Sequence, residues 1–140
     1  MGNSFDAMAQ SFDTDYRIQR AQAVGDAIGK SVNIDPQHNV LEFGCGTGLA
    51  TMTLIDRIGN ITLVDTSEGM LKQLRQKMKE VRSNTRIAIH NDIFSDEIKS
   101  GSFDVIYTSM VLHHINDIDS IAMRFGSLLR KGGRVCIVDL

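Results

Sequence analysis

Short apolar runs alternate with longer amphipathic stretches from residue 40 onward. The runs are rich in Val, Ile and Leu and carry little charge, which is typical of strands buried on both faces of a parallel sheet. Strands are therefore predicted at Val40 to Phe43, at Ile61 to Val64, in the run that Asn91 closes, from Phe103 onward, and at 135 to 140.

The stretches between these runs carry apolar residues at helical spacing, which predicts helices at 16–31, 49–58, 68–81 and 118–129. Residues 3 to 13 show no clear period. Strands that alternate with helices of this length predict an α/β fold, a three-layer sandwich with a mostly parallel sheet. The residues expected on the inward stripes of these helices are Ile18, Ala21, Gly25, Ile28, Met70, Leu71, Leu74, Met78, Val81, Ile118, Ile121, Ala122, Phe125, Leu128 and Leu129.

A glycine-rich turn, LEFGCGTG at 41–48, lies between the first predicted strand and the helix after it. Glycines at 44, 46 and 48 let backbone approach a ligand closely at this position. The second predicted strand ends at Asp65, whose carboxylate would lie beside the turn. A carboxylate there can accept hydrogen bonds from both hydroxyls of a ribose, so the sequence predicts a site for a nucleoside-containing cofactor.

Glycine spacing bears on which cofactor this is. A dinucleotide turn has a third small residue that lets the helix pack closely while its amino end holds a pyrophosphate. The corresponding positions here are Leu49 or Thr51, neither of them small in that sense. This disfavours an NAD-dependent oxidoreductase and favours a pocket for an amino acid and a ribose.

The acid-Phe-Gly-Cys-Gly-Thr-Gly string resembles motif I of the class I S-adenosylmethionine-dependent methyltransferases. Later segments resemble the family's other motifs in order, and the match runs from residue 40 to 140. The segment at 103–115 resembles the fourth strand and following loop of the small-molecule branch, which is typified by the quinone-biosynthesis enzymes. These segments are LVDTSEGML at 63–71, Asn91-Asp92-Ile93, FDVIYTSMVLHHI at 103–115 and LLRKGGRVCIVDL at 128–140.

The resemblance implies S-adenosyl-L-methionine as cofactor, with S-adenosyl-L-homocysteine as product. It implies that Asp65 binds the ribose, Met70 covers one face of the adenine, Asp92 accepts from the adenine amino group, and the Ile93 amide meets a ring nitrogen. Caps for the two acids and a plain core position for Met70 stay open as alternatives. The full cofactor-binding set is Glu42, Gly44, Cys45, Gly46, Thr47, Gly48, Asp65, Thr66, Met70, Asp92, Ile93 and Ser109.

Glu42 lies inside a predicted buried strand, where an unpaired acid is costly. Its expected partners are amide groups of the glycine turn or the ammonium group of the cofactor. His113 and His114 follow the fourth strand, where one of them could act as a general base. Packing near the cofactor is the alternative, and metal binding with Asp117 and Asp119 is disfavoured because adjacent histidines point apart.

The stretch FDAMAQSFD at 5–13 resembles a lid segment that precedes the core in the small-molecule branch. The resemblance therefore divides the chain into an N-terminal lid or helical segment, residues 1 to 32, and a Rossmann-like cofactor-binding core, residues 33 to 140. Phe12 and Tyr16 are lid candidates that either face the active site or pack on the sheet edge.

Composition narrows the choice of partner. The net charge is −2 and no basic stretch is present, so a nucleic-acid partner is not expected. The chain shows neither a signal peptide nor the ~20 apolar residues of a membrane span, which predicts a cytoplasmic protein with no membrane partner. The strand-four exit lacks the Asn/Asp-Pro-Pro-aromatic motif of the enzymes that methylate amino groups of DNA or protein glutamine, and it lacks the Pro-Cys of the cytosine C5 enzymes. A small-molecule methyl acceptor is the remaining expectation, with a cofactor-binding module without turnover as the alternative.

The last apolar run, 134–139, is expected to form an open sheet edge, since the family adds two further strands beyond it. An edge of apolar composition exposes unpaired amide and carbonyl groups that recruit partners. We therefore expect a C-terminally incomplete core that self-associates through this strand.

Overall fold

The computed structural model describes residues 3–139, with side chains from residue 5 onward. Its centre is a parallel five-stranded sheet in the order β3-β2-β1-β4-β5, which confirms the α/β Rossmann-like class. The strands are β1 (Asn39–Phe43), β2 (Asn60–Val64), β3 (Arg86–His90), β4 (Phe103–Ser109) and β5 (Leu129–Val138).

The helices are α1 (Asn3–Met8), α2 (Asp15–Ser31), α3 (Leu49–Leu54), α4 (Glu68–Glu80) and α5 (Ile118–Leu128). The predicted helix at 49–58 is shorter than expected, because residues 55–57 form a 3₁₀ turn. No helix was predicted at α1, which has no hydrophobic period of its own and is held by contacts with α4. Within residues 3–139, no helix has the length and apolar character to cross a membrane.

Helices cover the two faces of the sheet unequally. Helices α2, α3 and α4 pack on one face, where Val40, Ile61 and Leu63 are buried. On the other face α5 packs through Ile121, Phe125 and Leu128 against side chains such as Leu41 and Ile106. This second face is covered only in part, and a groove of about 410 Å³ runs over its β2 and β3 side.

Three residues predicted on the inward stripes are instead exposed: Ile18, Ile118 and Ala122. Ile18 lies in the first turn of α2, and Ile118 is the first residue of α5. Ala122 lies about 100° around α5 from Ile121, which places it beside the buried stripe rather than on it. Helical spacing in the sequence therefore predicted too many buried positions, both at the first turn of a helix and beside its buried stripe.

Strand β5 also departs from its prediction. It pairs with β4 from Leu129, and the register then jumps so that Val105 lies beside Arg134, with 130–133 bulged out. Cys136 is buried, but the flanking Val135 and Ile137 are 37% and 53% exposed. The strand is therefore not buried on both faces. Val135 and Ile137 lie on the face of the sheet against which α5 packs, but the helix does not cover them.

Helices α2 and α3 approach closely at a glycine, which gives a test of the packing. A Cβ added at Gly25 would lie 1.9 Å from Thr53 Oγ1 and 2.7 Å from Thr53 Cβ. A Cβ added at Gly126 in α5 would meet nothing within 4 Å. We expect Gly25→Ala to lower the free energy of unfolding by about 1–3 kcal/mol through overpacking. Gly126→Ala should raise it by about 0.4–1 kcal/mol, because alanine restricts the unfolded chain.

Chemical denaturation of the two variants beside the wild-type chain measures both effects. Shifts of the same sign would contradict the close α2–α3 contact, since both changes add one methyl group to a helical glycine.

Candidate active site

The glycine turn lies between β1 and α3, and its three glycines have left-handed backbone. Their φ angles are 72° at Gly44, 56° at Gly46 and 89° at Gly48. A Cβ at Gly44 would lie 2.4 Å from Val111, and one at Gly48 would lie 2.6 Å from Leu74. A Cβ at Gly46 would meet nothing within 4 Å. The outer glycines therefore serve close packing, and the middle one leaves open space above the turn.

Asp65 connects this turn to the end of β2. Its Oδ2 accepts a hydrogen bond from the Gly46 amide at 2.7 Å, and its Oδ1 accepts from the Ser67 amide at 2.9 Å. Burial raises the pKa of this carboxyl, and the two amide donors oppose the increase. Asp65 therefore lies beside Gly46, and its role as a ribose acceptor stays a prediction. The Asp65 amide donates to His90 O, which joins the end of β3 to the same rim.

Glu42 is fully buried, but its partners differ from those expected. Its Oε1 accepts from the Thr51 hydroxyl at 2.6 Å and from the Tyr107 hydroxyl at 2.7 Å. Burial raises the pKa of Glu42 to about 7, while these two hydrogen bonds act in the opposite direction. Glu42 therefore ties β1 to α3 and β4 beneath the turn. The sequence analysis assigned no functional role to Thr51 or Tyr107. The role of a buried hydroxyl depends on its hydrogen-bond partner, which the sequence does not reveal.

The loop after β3 carries the two groups expected at the adenine. Asp92 is exposed, and its Oδ1 accepts from the Phe94 amide at 2.9 Å. Ile93 is buried against the α5 side of the sheet. Met70 is also buried, in the first turn of α4, where its amide donates to Ser67 Oγ. Thr66 between these elements is exposed.

The exit of β4 carries Ser109, which is half-buried, and then the histidine pair. Asp139, just beyond β5, accepts from the His113 amide at 3.0 Å and contacts His113 Nδ1 at 2.6 Å. An ionised carboxylate can only accept, so Nδ1 donates in this contact, and Nε2 is the acceptor nitrogen whenever the ring is neutral. His114 instead packs its ring against Phe5, with centroids 5.6 Å apart. Asp139 was not predicted, because the contact spans the whole α5 crossover.

The N-terminal segment is fastened near this rim by two carboxylates. Asp6 accepts from the Ser67 hydroxyl and from the Gly69 amide, the latter at 2.7 Å. These hydrogen bonds lower the pKa of Asp6. Asp13 accepts from the Thr47 hydroxyl of the glycine turn and forms an ion pair with Lys77 of α4. The repeated Phe-Asp pattern thus supplies both anchors.

The two lid candidates lie in different surroundings. Phe12 is half-buried beneath the Arg17 guanidinium, 4.1 Å from its ring centroid. Tyr16 is 69% exposed, with Arg20 5.6 Å above its ring. Among the described residues, no three His, Cys, Asp or Glu side chains come together as metal ligands could.

Residues 41–135 match the family described as a methyltransferase domain. An uncharacterized methyltransferase of Mycobacterium tuberculosis is 33% identical over 100 residues, which cover 71% of this chain and 49% of that protein. The chain therefore spans about half the length of the curated relatives it matches.

Solved structures share the fold. A putative S-adenosyl-L-methionine-dependent methyltransferase of Methanococcus maripaludis superposes with a TM-score of 0.76 at 18% identity, covering 97% of this chain and 61% of that one. Phosphoethanolamine N-methyltransferase 1 of Haemonchus contortus, in complex with phosphoethanolamine and S-adenosylhomocysteine, gives 0.77 at 17% identity, covering 96% and 30%.

The glycine turn, the acid at the end of β2 and the parallel sheet all lie within or beside the matched segment. The chain therefore belongs to the class I S-adenosyl-L-methionine-dependent methyltransferases.

Proposed function

We propose that this chain transfers a methyl group from S-adenosyl-L-methionine to a small-molecule acceptor. The observation that carries the proposal is the open space over Gly46 beside the partly buried Asp65 carboxylate. A site of this kind lets a ligand approach the backbone while its hydroxyls meet an acid. The cofactor supplies a methyl carbon already activated by a sulfonium. The chain has to align the acceptor with it and exclude water.

The residues present fit this cofactor. Each oxygen of Asp65 already accepts one amide hydrogen bond, and a carboxylate oxygen has a second lone pair for a ribose hydroxyl. Asp92 and the Ile93 amide supply an acceptor and a donor side by side for the adenine edge. Glu42 stabilises the turn from below through two hydroxyls, so we assign it to the support of the site.

The ribose assignment is tested by Asp65→Ala. Loss of the carboxylate leaves two ribose hydroxyls without their acceptor, so binding of S-adenosylhomocysteine should weaken by about 1–3 kcal/mol. Titration calorimetry measures the affinity. Asp56→Ala, which removes an exposed carboxylate from the 3₁₀ turn after α3, is the matched control and should bind like the wild-type chain. An unchanged affinity in a folded Asp65→Ala variant would overturn the ribose role.

Two observations support a small-molecule acceptor: the low net charge of the chain and the ligands of a protein with the same fold. The net charge of −2 gives no electrostatic footprint for a nucleic acid. The Haemonchus enzyme was solved in complex with phosphoethanolamine and S-adenosylhomocysteine, and we propose an acceptor of similar size for this chain.

A direct assay follows S-adenosylhomocysteine formation with separate pools of small alcohols, phenols, amines and carboxylic acids, and with transfer RNA and protein as further arms. Turnover with a small-molecule pool supports the proposal. Turnover only with RNA or protein would contradict the acceptor class, and binding of the cofactor without turnover in any arm would favour a binding module.

We assign the N-terminal segment, residues 3–14, to closure over the site. Its two carboxylates anchor it at Thr47 of the glycine turn and at the start of α4. Because the sulfonium is intrinsically reactive, closure and alignment matter more here than any one base. His113, whose Nδ1 contacts Asp139, is our candidate for the group that takes a proton where the acceptor carries one.

Deletion of residues 1 to 13 keeps Thr14, whose side chain caps α2, and removes the segment. We expect this variant to unfold cooperatively but to lose methyl transfer to whichever pooled acceptor the wild-type chain uses. His113→Ala and His114→Ala should each reduce the rate less. A loss of about 10²- to 10⁴-fold in one histidine variant, with the deletion variant still active, would make general-base catalysis the better account.

The proposal includes self-association through β5 and a cytoplasmic location. Among the described strands β5 pairs only with β4, and its exposed Val135 and Ile137 form an apolar row. Both cysteines are unpaired and buried, as suits a reducing compartment.

Light scattering should show assemblies that grow with protein concentration, and Ile137→Lys should shift them toward monomer, because an edge charge opposes strand pairing. A monodisperse wild-type monomer at high concentration would contradict the self-association.

A further inference from the structure

The crossover from β3 to β4 contains no helix in residues 91–102, yet it is fixed by one side chain from α5. Arg124 donates from Nε to the Ile93 carbonyl at 2.8 Å. Its Nη2 donates to the carbonyls of Ser95 at 3.0 Å and Ile98 at 3.2 Å. One guanidinium therefore binds three carbonyls of a loop that is 26 to 31 residues away in the chain.

The loop itself consists of consecutive turns. The Phe94 amide donates to Asp92 Oδ1 and the Ser95 amide to the Asp92 carbonyl. The Ile98 amide donates to the Ser95 carbonyl and closes the next turn, which begins at Ser95. These local bonds shape each turn but leave the angle between them undefined. Arg124 bonds to carbonyls on both sides of that junction, and the buried Ile93 and Ile98 side chains keep the loop on the α5 face.

Only arginine suits this position. A guanidinium presents five donors in a rigid planar fork, so it can satisfy diverging carbonyls at once. A lysine ammonium in the same place is a compact point charge on a flexible stem, and it cannot hold the two turns in a fixed relation.

We infer that Arg124 is a positioning residue for the adenine pocket and thereby sets the preference for adenine over bases without its amino group. This rests on the proposed cofactor site, in which Asp92 accepts from the adenine amino group and the Ile93 amide donates to a ring nitrogen. Both groups belong to the first turn that Arg124 holds. The guanidinium binds the carbonyl side of Ile93, so it acts on the base through the backbone.

The test compares two ligands that differ only at the base. S-inosylhomocysteine replaces the amino group of S-adenosylhomocysteine by a carbonyl and the ring acceptor by an N–H, so it opposes both recognition groups. Titration calorimetry gives the dissociation constants of both ligands for the wild-type chain, Arg124→Met and Arg124→Lys. Arg130→Met is the matched control, since Arg130 is an exposed arginine that binds Asp104, beyond the loop.

We expect the wild-type chain to prefer S-adenosylhomocysteine. Arg124→Met should weaken that ligand by ~10-fold or more, as for the loss of one well-placed hydrogen bond to the base, while S-inosylhomocysteine changes little. The ratio of the two constants should therefore fall toward one, with Arg124→Lys intermediate and Arg130→Met unchanged.

A merely structural role would weaken both ligands equally and leave the ratio as it is, which would overturn the inference. If Arg124→Met does not fold, the same ratio measured on Arg124→Lys decides the matter. Failure of the wild-type chain to bind either ligand would overturn the proposed cofactor site and this inference with it. Binding with an intact ratio in the variants would overturn the inference alone.

Discussion

The hydrogen bond from the Gly46 amide to the Asp65 carboxylate is the interaction on which the rest of the site depends. It joins a turn that has left-handed backbone at 44, 46 and 48 to the end of β2, which pairs in parallel with β1 so that Phe43 lies beside Val64. A partly buried carboxylate is unfavourable without donors, and the turn supplies one of them. The fold therefore lowers the free-energy cost of a partly buried carboxylate at the rim where several strand ends meet.

Beneath this contact lies a second acid with a different role. Glu42 is held by two hydroxyls in a fully buried position, and its pKa of about 7 reflects that burial. Motif similarity placed both acids among the cofactor-binding residues, but only Asp65 lies beside the open glycine. Glu42 is enclosed by the hydroxyls of Thr51 and Tyr107, whereas Asp65 is only partly buried beside Gly46, and these surroundings are the basis for proposing Asp65 alone as the ribose acceptor.

The sequence predicted the features that have a local signal: the strands, most helices, the glycine turn and the acid that follows β2. It did not predict α1, because Asn3–Met8 has no apolar period and is held by Asp6 on the start of α4. It did not predict the Arg124 and Asp139 contacts either, since these join residues 26 or more positions apart. Such contacts leave no periodic signal, so only the folded chain reveals them.

The anchors of the N-terminal segment also bear on the timing of ligand exchange. Asp13 binds a side chain of the glycine turn and a lysine of α4, while Asp6 binds the start of that helix. In the proposed closed site, a ligand between the turn and the segment leaves only after these contacts break. Residence time would then be governed by a carboxylate–lysine pair that touches no ligand, and added salt would shorten it by screening that pair. Under that proposal, the exchange rate and the equilibrium affinity of this chain change independently.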